Sequence, residues 1–200
     1  MKILSTRLFL ILSLTIMLIS CKKDNELSKS VYIPDPENNG LPAYSEWGYN
    51  TFGAYIDRCI FVSNDYVVPV KVIVTEGNTS IRLQGDQGAC SDSDISLTFK
   101  LMGFSPESYT DFSIFNDSTI NLTNENVEVY INESSAEKKV QVISGELTFK
   151  RIQQLYVDEE LVEIIASGVF DVKGLIENEP KYIFEGRFDL GIGNDNFYRY

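Results

Sequence analysis

The feature that most constrains the fold of this chain is a two-residue alternation of apolar and polar side chains. It is clearest at 95–101, 127–131 and 182–190. Successive side chains of a β-strand point to opposite faces, so each stretch predicts a strand with one apolar and one polar face. One-sided burial is typical of antiparallel sheets, because parallel sheets buried on both faces show continuous apolar runs. In the third stretch the row expected on one face is Tyr182, Phe184, Gly186, Phe188 and Leu190.

Further strands are predicted where β-branched and aromatic residues lie between turn residues. These stretches are 51–57, 59–63, 70–75, 80–84, 140–150 and 162–173. The sequence EGNT at 76–79 predicts a hairpin turn between two of them. Within 140–150 the apolar positions change from even to odd numbers around Gly145, which indicates a β-bulge.

The organisation of the C-terminal half follows from a repeated pattern. A glycine followed by alternating apolar and polar residues recurs at Gly145, Gly168 and Gly186, at intervals that suit successive strands of a meander. The segment 153–165 fits one short helical turn, but we expect a long hairpin loop there. We therefore predict a single all-β domain over 43–200, an antiparallel β-sandwich or small open barrel with a meander-like C-terminal half.

The sequence contains no histidine, which excludes several common chemistries. Ser-His-Asp and Cys-His catalysis, His-ligated zinc and an imidazole proton shuttle all require that residue. The formal net charge of −12 opposes a nucleic-acid surface, because affinity for phosphates comes mostly from Lys and Arg. We expect a non-enzymatic protein with no cofactor and no nucleic-acid partner.

The N-terminus predicts export and lipidation. Lys2 and Arg7 precede an uncharged run at 8–20, which is shorter than the roughly 20 residues that span a bilayer. This pattern predicts a signal peptide at 1–20. The run ends Leu-Ile-Ser-Cys at 18–21, which resembles the lipobox of bacterial lipoproteins. The resemblance implies cleavage before Cys21 and a membrane anchor on its thiol; the alternative is an ordinary signal peptide with an incidental cysteine.

Residues 21–42 are polar and contain prolines, which favours a flexible spacer after the anchor. The run CKKDNE at 21–26 is similar to the start of many Bacteroidota lipoproteins, in which a Lys followed by two acids can mark export to the cell surface. A second Lys and an Asn interrupt that pattern here. We expect a protein anchored in the outer membrane, and both the periplasmic face and the cell surface stay open.

Three motifs are similar to those of a family of small Bacteroidota lipoproteins of unknown function. They are NTFG starting at Asn50, ISGELTF at 143–149 and EGRFD at 185–189. The resemblance covers roughly 50–190, and it implies an all-β lipoprotein domain without implying any activity.

Cys59 and Cys90 are the thiols that remain after lipidation. An oxidising envelope compartment permits them to form a disulfide, and two buried free thiols are the alternative. Asp86, Asp92 and Asp94 crowd the nearby loop, but their spacing does not match a twelve-residue calcium loop. We therefore expect a solvated loop and no metal site.

An aromatic cluster lies at 44–55, and its rings could stack on sugars or on a peptide. Odd- and even-numbered residues of a strand point to opposite faces, so we expect some of these rings, such as Phe52, to lie in the core. The candidate ligand-binding residues are Tyr44, Trp47, Tyr49 and Tyr55. We expect a non-enzymatic binding or structural module of the cell envelope, with a glycan or an envelope protein as its partner. The alternative is a glycan- or peptide-binding accessory lipoprotein that uses these aromatic residues.

Two further motifs complete the candidate sites. Asp158, Glu159, Glu160 and Glu163 would supply the paired carboxylates of a hydrolase, but sequence neighbours rarely face each other across a bond, so we expect a solvated loop. The triplet Asp-Ser-Thr at 117–119 resembles the O-glycosylation sequon of Bacteroidota, which implies modification at Ser118.

Overall fold

The computed structural model describes residues 30–64, 68–90, 95–133 and 136–200. Within these residues eleven strands form one mixed, mainly antiparallel sheet that is not closed into a barrel. Short 3-10 helices lie at Gly88–Cys90 and Tyr109–Phe115. The prediction of an all-β fold is confirmed. The strands are β1 (Thr51–Ile56), β2 (Cys59–Val62), β3 (Val70–Thr75), β4 (Asn78–Gly85), β5 (Ile95–Met102), β6 (Ser118–Asn121), β7 (Val127–Glu133), β8 (Ala136–Val157), β9 (Glu160–Ile176), β10 (Glu179–Gly193) and β11 (Phe197–Arg199).

The sheet folds into two layers that share the long strand β8. One layer has the order β11-β3-β4-β5-β7 and continues into the start of β8. From Gln141 onward β8 belongs to the other layer, which continues through β9, β10, β1 and β2, with β6 on the opposite side of β8. Buried rings meet between the layers, and the centroids of Phe99 and Phe170 are 5.4 Å apart.

The core forms where the alternating apolar rows of the two layers face each other. Leu97, Phe99, Val129 and Ile131 are almost fully buried there, as the alternation at 95–101 and 127–131 predicts. Burial of each such side chain contributes roughly 1.5–3 kcal/mol relative to an exposed one. These rows are therefore the main energetic reason that the chain folds back on itself.

The C-terminal meander is confirmed, because β8, β9 and β10 pair in sequence order. The bulge near Gly145 is also confirmed, as the register shifts between Val142 and Ser144. The loop expected at 153–165 is wrong. Strand β8 runs to Val157 and β9 starts at Glu160, and the intervening two residues have positive φ, the backbone that joins twisted strands in a tight hairpin.

The single apolar row expected at 182–190 is also wrong. A register shift lies between Ile183 and Gly186, and Glu185 has a φ of 54°. A bulge adds one residue and reverses the alternation. Phe188 therefore points into the core, whereas Tyr182 is 40% exposed on the outer face of the sheet.

Residues 30–49, here called the N-terminal strap, lie along the outer face of the second layer. The strap turns back on itself through a bridge between Pro34 and Pro42, and the N–H of Val31 donates to the carbonyl of Tyr49 at 2.8 Å. Leu41 is fully buried against β1. Residues 30–42, which were expected within a flexible spacer, thus pack against the domain; 21–29 lie outside the described residues.

Candidate functional site

The strap is held on the sheet by one buried carboxylate, that of Asp189 in β10. Its side chain accepts hydrogen bonds from the backbone N–H groups of residues 47–49 at 2.9–3.1 Å. The hydroxyl of Ser167 donates at 3.0 Å, and the hydroxyl of Ser45 donates as well. Asp189 is only 1% exposed, so these donors replace its lost hydration. They fix the turn at 45–49 against β9 and β10.

A second attachment joins the strap to Arg187 of β10. The nearly buried guanidinium pairs with Asp35 of the strap and with Glu185 at 3.0 Å. Hydrogen bonds from the side chain of Asn38 and the backbone of Glu37, together with Arg187, hold the pKa of Asp35 at about 2. The strap therefore has a defined position on the sheet.

An open groove of about 470 Å³ lies between the strap and the exposed part of the second layer, and we call it the outer-face groove. Strand β9 crosses its floor, with β8 and β10 on the two sides. The side chains that line it come from the strap and from all three strands. They include Tyr44, Lys150, Asp171, Tyr182, Phe184 and Arg187.

Three rings form a column along one side of this groove. The rings of Tyr182 and Phe184 are nearly parallel, with centroids 4.8 Å apart, and the ring of Tyr55 follows Phe184 at 5.1 Å. The ammonium of Lys173 lies 4.9 Å from the centroid of Tyr182. We call Tyr55, Phe184 and Tyr182 the aromatic column; it is an apolar surface outside the core.

Tyr44 forms the opposite side of the groove. Its hydroxyl donates to Glu46 at 2.9 Å, and the ammonium of Lys150 lies 4.8 Å from its ring centroid. Burial and the hydrogen bond to Glu46 raise the pKa of Tyr44, so the phenol stays protonated. Glu46 in turn pairs with Arg151 of β8 at 3.1 Å. These contacts hold the Tyr44 ring in place.

Only some of the aromatic residues that the sequence proposed as a binding site lie at the outer-face groove. Tyr44 lines the groove, and Tyr55 belongs to the column beside it. Tyr49 instead holds the strap through its backbone, and Trp47 is 77% exposed but is not among the residues that line the groove. The sequence reasoning missed Tyr182 as a site residue, although its exposure follows from the bulge at Glu185.

A second cavity of about 340 Å³, here called the end cleft, lies where β9 begins and β10 ends. Glu160 and Glu163 line it together with Asp195, whereas Asp158 and Glu159 form the hairpin turn. None of the described residues that line the cleft is basic.

Within the end cleft, Glu163 lies over a glycine. A Cβ atom added to Gly191 would overlap the carboxyl group of Glu163, so any other residue there would displace that carboxyl group from its present position. Burial of this carboxyl group, with a smaller contribution from Asp189, raises the pKa of Glu163 to about 7.

Replacing Glu163 with glutamine is expected to stabilise the protein at pH 8 by about 1–2 kcal/mol, after allowance for solvent screening of a half-buried group. The pKa of a glutamate in the unfolded chain is about 4.3. Between that pH and about 7 the folded chain keeps a proton that the unfolded chain has lost, so the stability of the wild type falls as pH rises. Urea unfolding at pH 4 and pH 8 measures the difference.

The matched control is Glu160→Gln, which removes the same charge from an exposed position of the end cleft. We expect it to give a smaller gain at pH 8. A stabilisation by Glu163→Gln that is equal at pH 4 and pH 8 would contradict the assignment.

Cys59 and Cys90 form a disulfide, with their Cα atoms 5.9 Å apart. The bond connects β2 to the 3-10 helix that follows β4. Beside it, Val62 and Asp86 exchange two backbone hydrogen bonds of 3.1 Å. The disulfide thus fastens β2, the edge strand of the second layer, to the segment that follows β4 in the first layer.

The remaining sequence predictions fall at scattered places. Ser118 begins β6, and its hydroxyl donates to the carbonyl of Phe115 at 2.6 Å. Cys21, Asp92 and Asp94 lie outside the described residues. In the part of the chain that is described, no cluster of three acidic or cysteine side chains could hold a metal ion. The same part has no helix with the length and hydrophobicity needed to cross a bilayer.

Comparison of the chain with known protein families, with curated proteins and with solved structures found no match. The function is therefore inferred from the residues of this chain alone.

Proposed function

We propose that this chain is a lipid-anchored protein of a bacterial outer membrane, of the Bacteroidota type, and that it acts as a non-enzymatic binding module. The anchor is supported by the uncharged run at 8–20 and by Cys21 at its end. A disulfide between Cys59 and Cys90 supports an oxidising compartment, because such bonds persist outside the cytosol.

The binding role is carried by the aromatic column in the outer-face groove. The ring of Tyr182 is 40% exposed and those of Tyr55 and Phe184 are partly exposed, and grouped apolar surface of this kind is typical of interaction sites. Strap and sheet hold the two sides of the groove in place, so a ligand would meet a preformed surface.

The chemistry of the groove supports binding over catalysis. Among the described residues that line it there is no Ser, Thr or Cys nucleophile, and the chain has no histidine to act as a base. Its polar groups, such as Lys150 and Asp171, can donate and accept hydrogen bonds. A non-enzymatic module needs only those contacts.

The anchor is tested by Cys21→Ala. Cells that express the wild-type chain are expected to incorporate labelled fatty acid into it, whereas the variant is expected to incorporate none and to leave the membrane fraction. A chain with Cys59 and Cys90 both changed to serine is the control, since it keeps Cys21 and should stay labelled. Continued labelling of Cys21→Ala would contradict the anchor.

A further inference from the structure

We infer that the ligand of the outer-face groove is an uncharged glycan, an inference that rests on the proposed binding role. The groove volume of about 470 Å³ lies within the roughly 300–1,000 Å³ of small-ligand sites, so it fits a short stretch of a glycan. The sugar ring would lay its apolar C–H side on the aromatic column.

The backbone beneath the groove argues against an extended peptide. A peptide that joins a sheet gains its affinity from main-chain hydrogen bonds to an unpaired strand edge. Strand β9 is paired with β8 on one side and with β10 on the other, and β10 is paired with both β9 and β1. Away from the bulge at Glu185 their N–H and C=O groups are already used, so a ligand here is held mainly by side chains.

The polar side chains suit hydroxyl groups. A sugar hydroxyl both donates and accepts hydrogen bonds, so it needs partners of both kinds. Lys150 offers donors and Asp171 offers acceptors in the same groove. The groove can therefore both donate hydrogen bonds to the hydroxyl groups of a sugar and accept hydrogen bonds from them.

The charges of the groove favour a ligand without net charge. Arg187 is already paired with Asp35 and Glu185. Lys150 and Lys173 are offset by Asp171 and by the acidic surface of a chain with a formal net charge of −12. An anionic polymer would be repelled by this surface at long range, and a cationic ligand would meet Lys150 in the groove and Lys173 against the ring of Tyr182.

The two sides of the groove explain how a sugar ring would be held. The rings of the aromatic column pack against one another, so Phe184 and the exposed part of Tyr182 give the groove an apolar side, and Tyr44 stands opposite on the strap. Aromatic side chains give large contact area at low entropic cost. Tyr182 is the exposed end of the column and so should carry the largest share of the contact.

The experiment uses the full lipidated chain in detergent micelles and three sets of probes. These are uncharged polysaccharides (dextran, starch, mannan, xylan and a β-glucan), acidic polysaccharides (polygalacturonate and chondroitin sulfate) and a library of unstructured peptides. Retention of the protein in affinity gels measures binding. We expect retention by at least one uncharged polysaccharide, and about a tenfold or greater loss of affinity on Tyr182→Ala.

Matched variants separate contact from folding. Tyr182→Phe keeps the ring and should keep the affinity. Tyr156→Ala removes another exposed tyrosine, at the hairpin far from the groove, and Trp47→Ala removes the exposed indole; neither should change retention. Circular dichroism melts of all variants verify that the sheet is intact.

The other outcomes distinguish failure of the uncharged-glycan proposal from failure of the proposed binding role. Retention only by an acidic polysaccharide or only by peptides, abolished by Tyr182→Ala, would overturn the uncharged glycan and leave the binding role of the groove standing. Retention that depends on Trp47 and not on Tyr182 would overturn the groove as the site. No retention by any of the three sets would overturn both proposals.

Discussion

Replacing Asp189 with asparagine is expected to lower the free energy of unfolding by about 3–5 kcal/mol. The carboxylate is almost fully buried and accepts three backbone N–H groups and two hydroxyls. An asparagine side chain keeps one oxygen and turns an NH₂ group toward donors, so it leaves several of these groups unsatisfied. Urea unfolding of the chain from Lys22 onward should show a lower midpoint with an unchanged slope.

Asp171→Asn is the matched control for this variant. It makes the same chemical change on β9, at an exposed position, and should change the stability by no more than about 0.5 kcal/mol. Equal effects of Asp189→Asn and Asp171→Asn would mean that the strap is not held by Asp189. Because Tyr44 lies on the strap, loss of this attachment should also weaken ligand retention in the groove.

Replacing both Cys59 and Cys90 with alanine is expected to lower the free energy of unfolding by about 3–4 kcal/mol. The bond closes a segment with a sequence separation of 31, and a loop of this length loses that much chain entropy in the unfolded state. The effect should be seen as a lower melting temperature, with early loss of protection of the β2 amides from hydrogen exchange.

A reducing agent provides the control for this prediction. The wild type in dithiothreitol should approach the stability of the double variant, and the double variant itself should be insensitive to the reagent. A double variant within about 0.5 kcal/mol of the oxidised wild type would contradict a stabilising role for the bond.

The strap links the two functional proposals physically. The described fold begins at Ser30, nine residues after Cys21, and its hydroxyl donates to the carbonyl of Asn50 at 2.7 Å. A link of nine residues reaches at most about 30 Å. The domain would therefore stay close to the membrane, and the strap that carries Tyr44 would be the part nearest to the anchor in sequence.

Much of the sheet could be predicted from the sequence because periodicity is local. The alternation at 95–101 and 127–131 matches β5 and β7, since each strand buries its apolar row against the same core. The bulge near Gly145 is visible for the same reason. There the apolar residues change parity, and an inserted residue is the simple explanation.

The bulge at Glu185 could not be predicted in this way. Aromatic residues occupy alternate positions on both sides of it, so the apolar pattern continues from Tyr182 to Leu190 while the backbone changes face. Only burial distinguishes the two halves of β10. Without the bulge, Tyr182 would point inward and the aromatic column would not exist.

The sequence by itself determined most of the strands, the turn at 76–79 and the absence of imidazole chemistry, because these depend on neighbours a few residues apart or on composition alone. The tertiary structure decided which aromatic side chains share one surface. Tyr44, Tyr55 and Tyr182 come from the strap, β1 and β10, and they meet only when the strands pair and the strap binds Asp189. Contacts across more than 100 residues of chain leave no local pattern, so no periodicity in the sequence could report them.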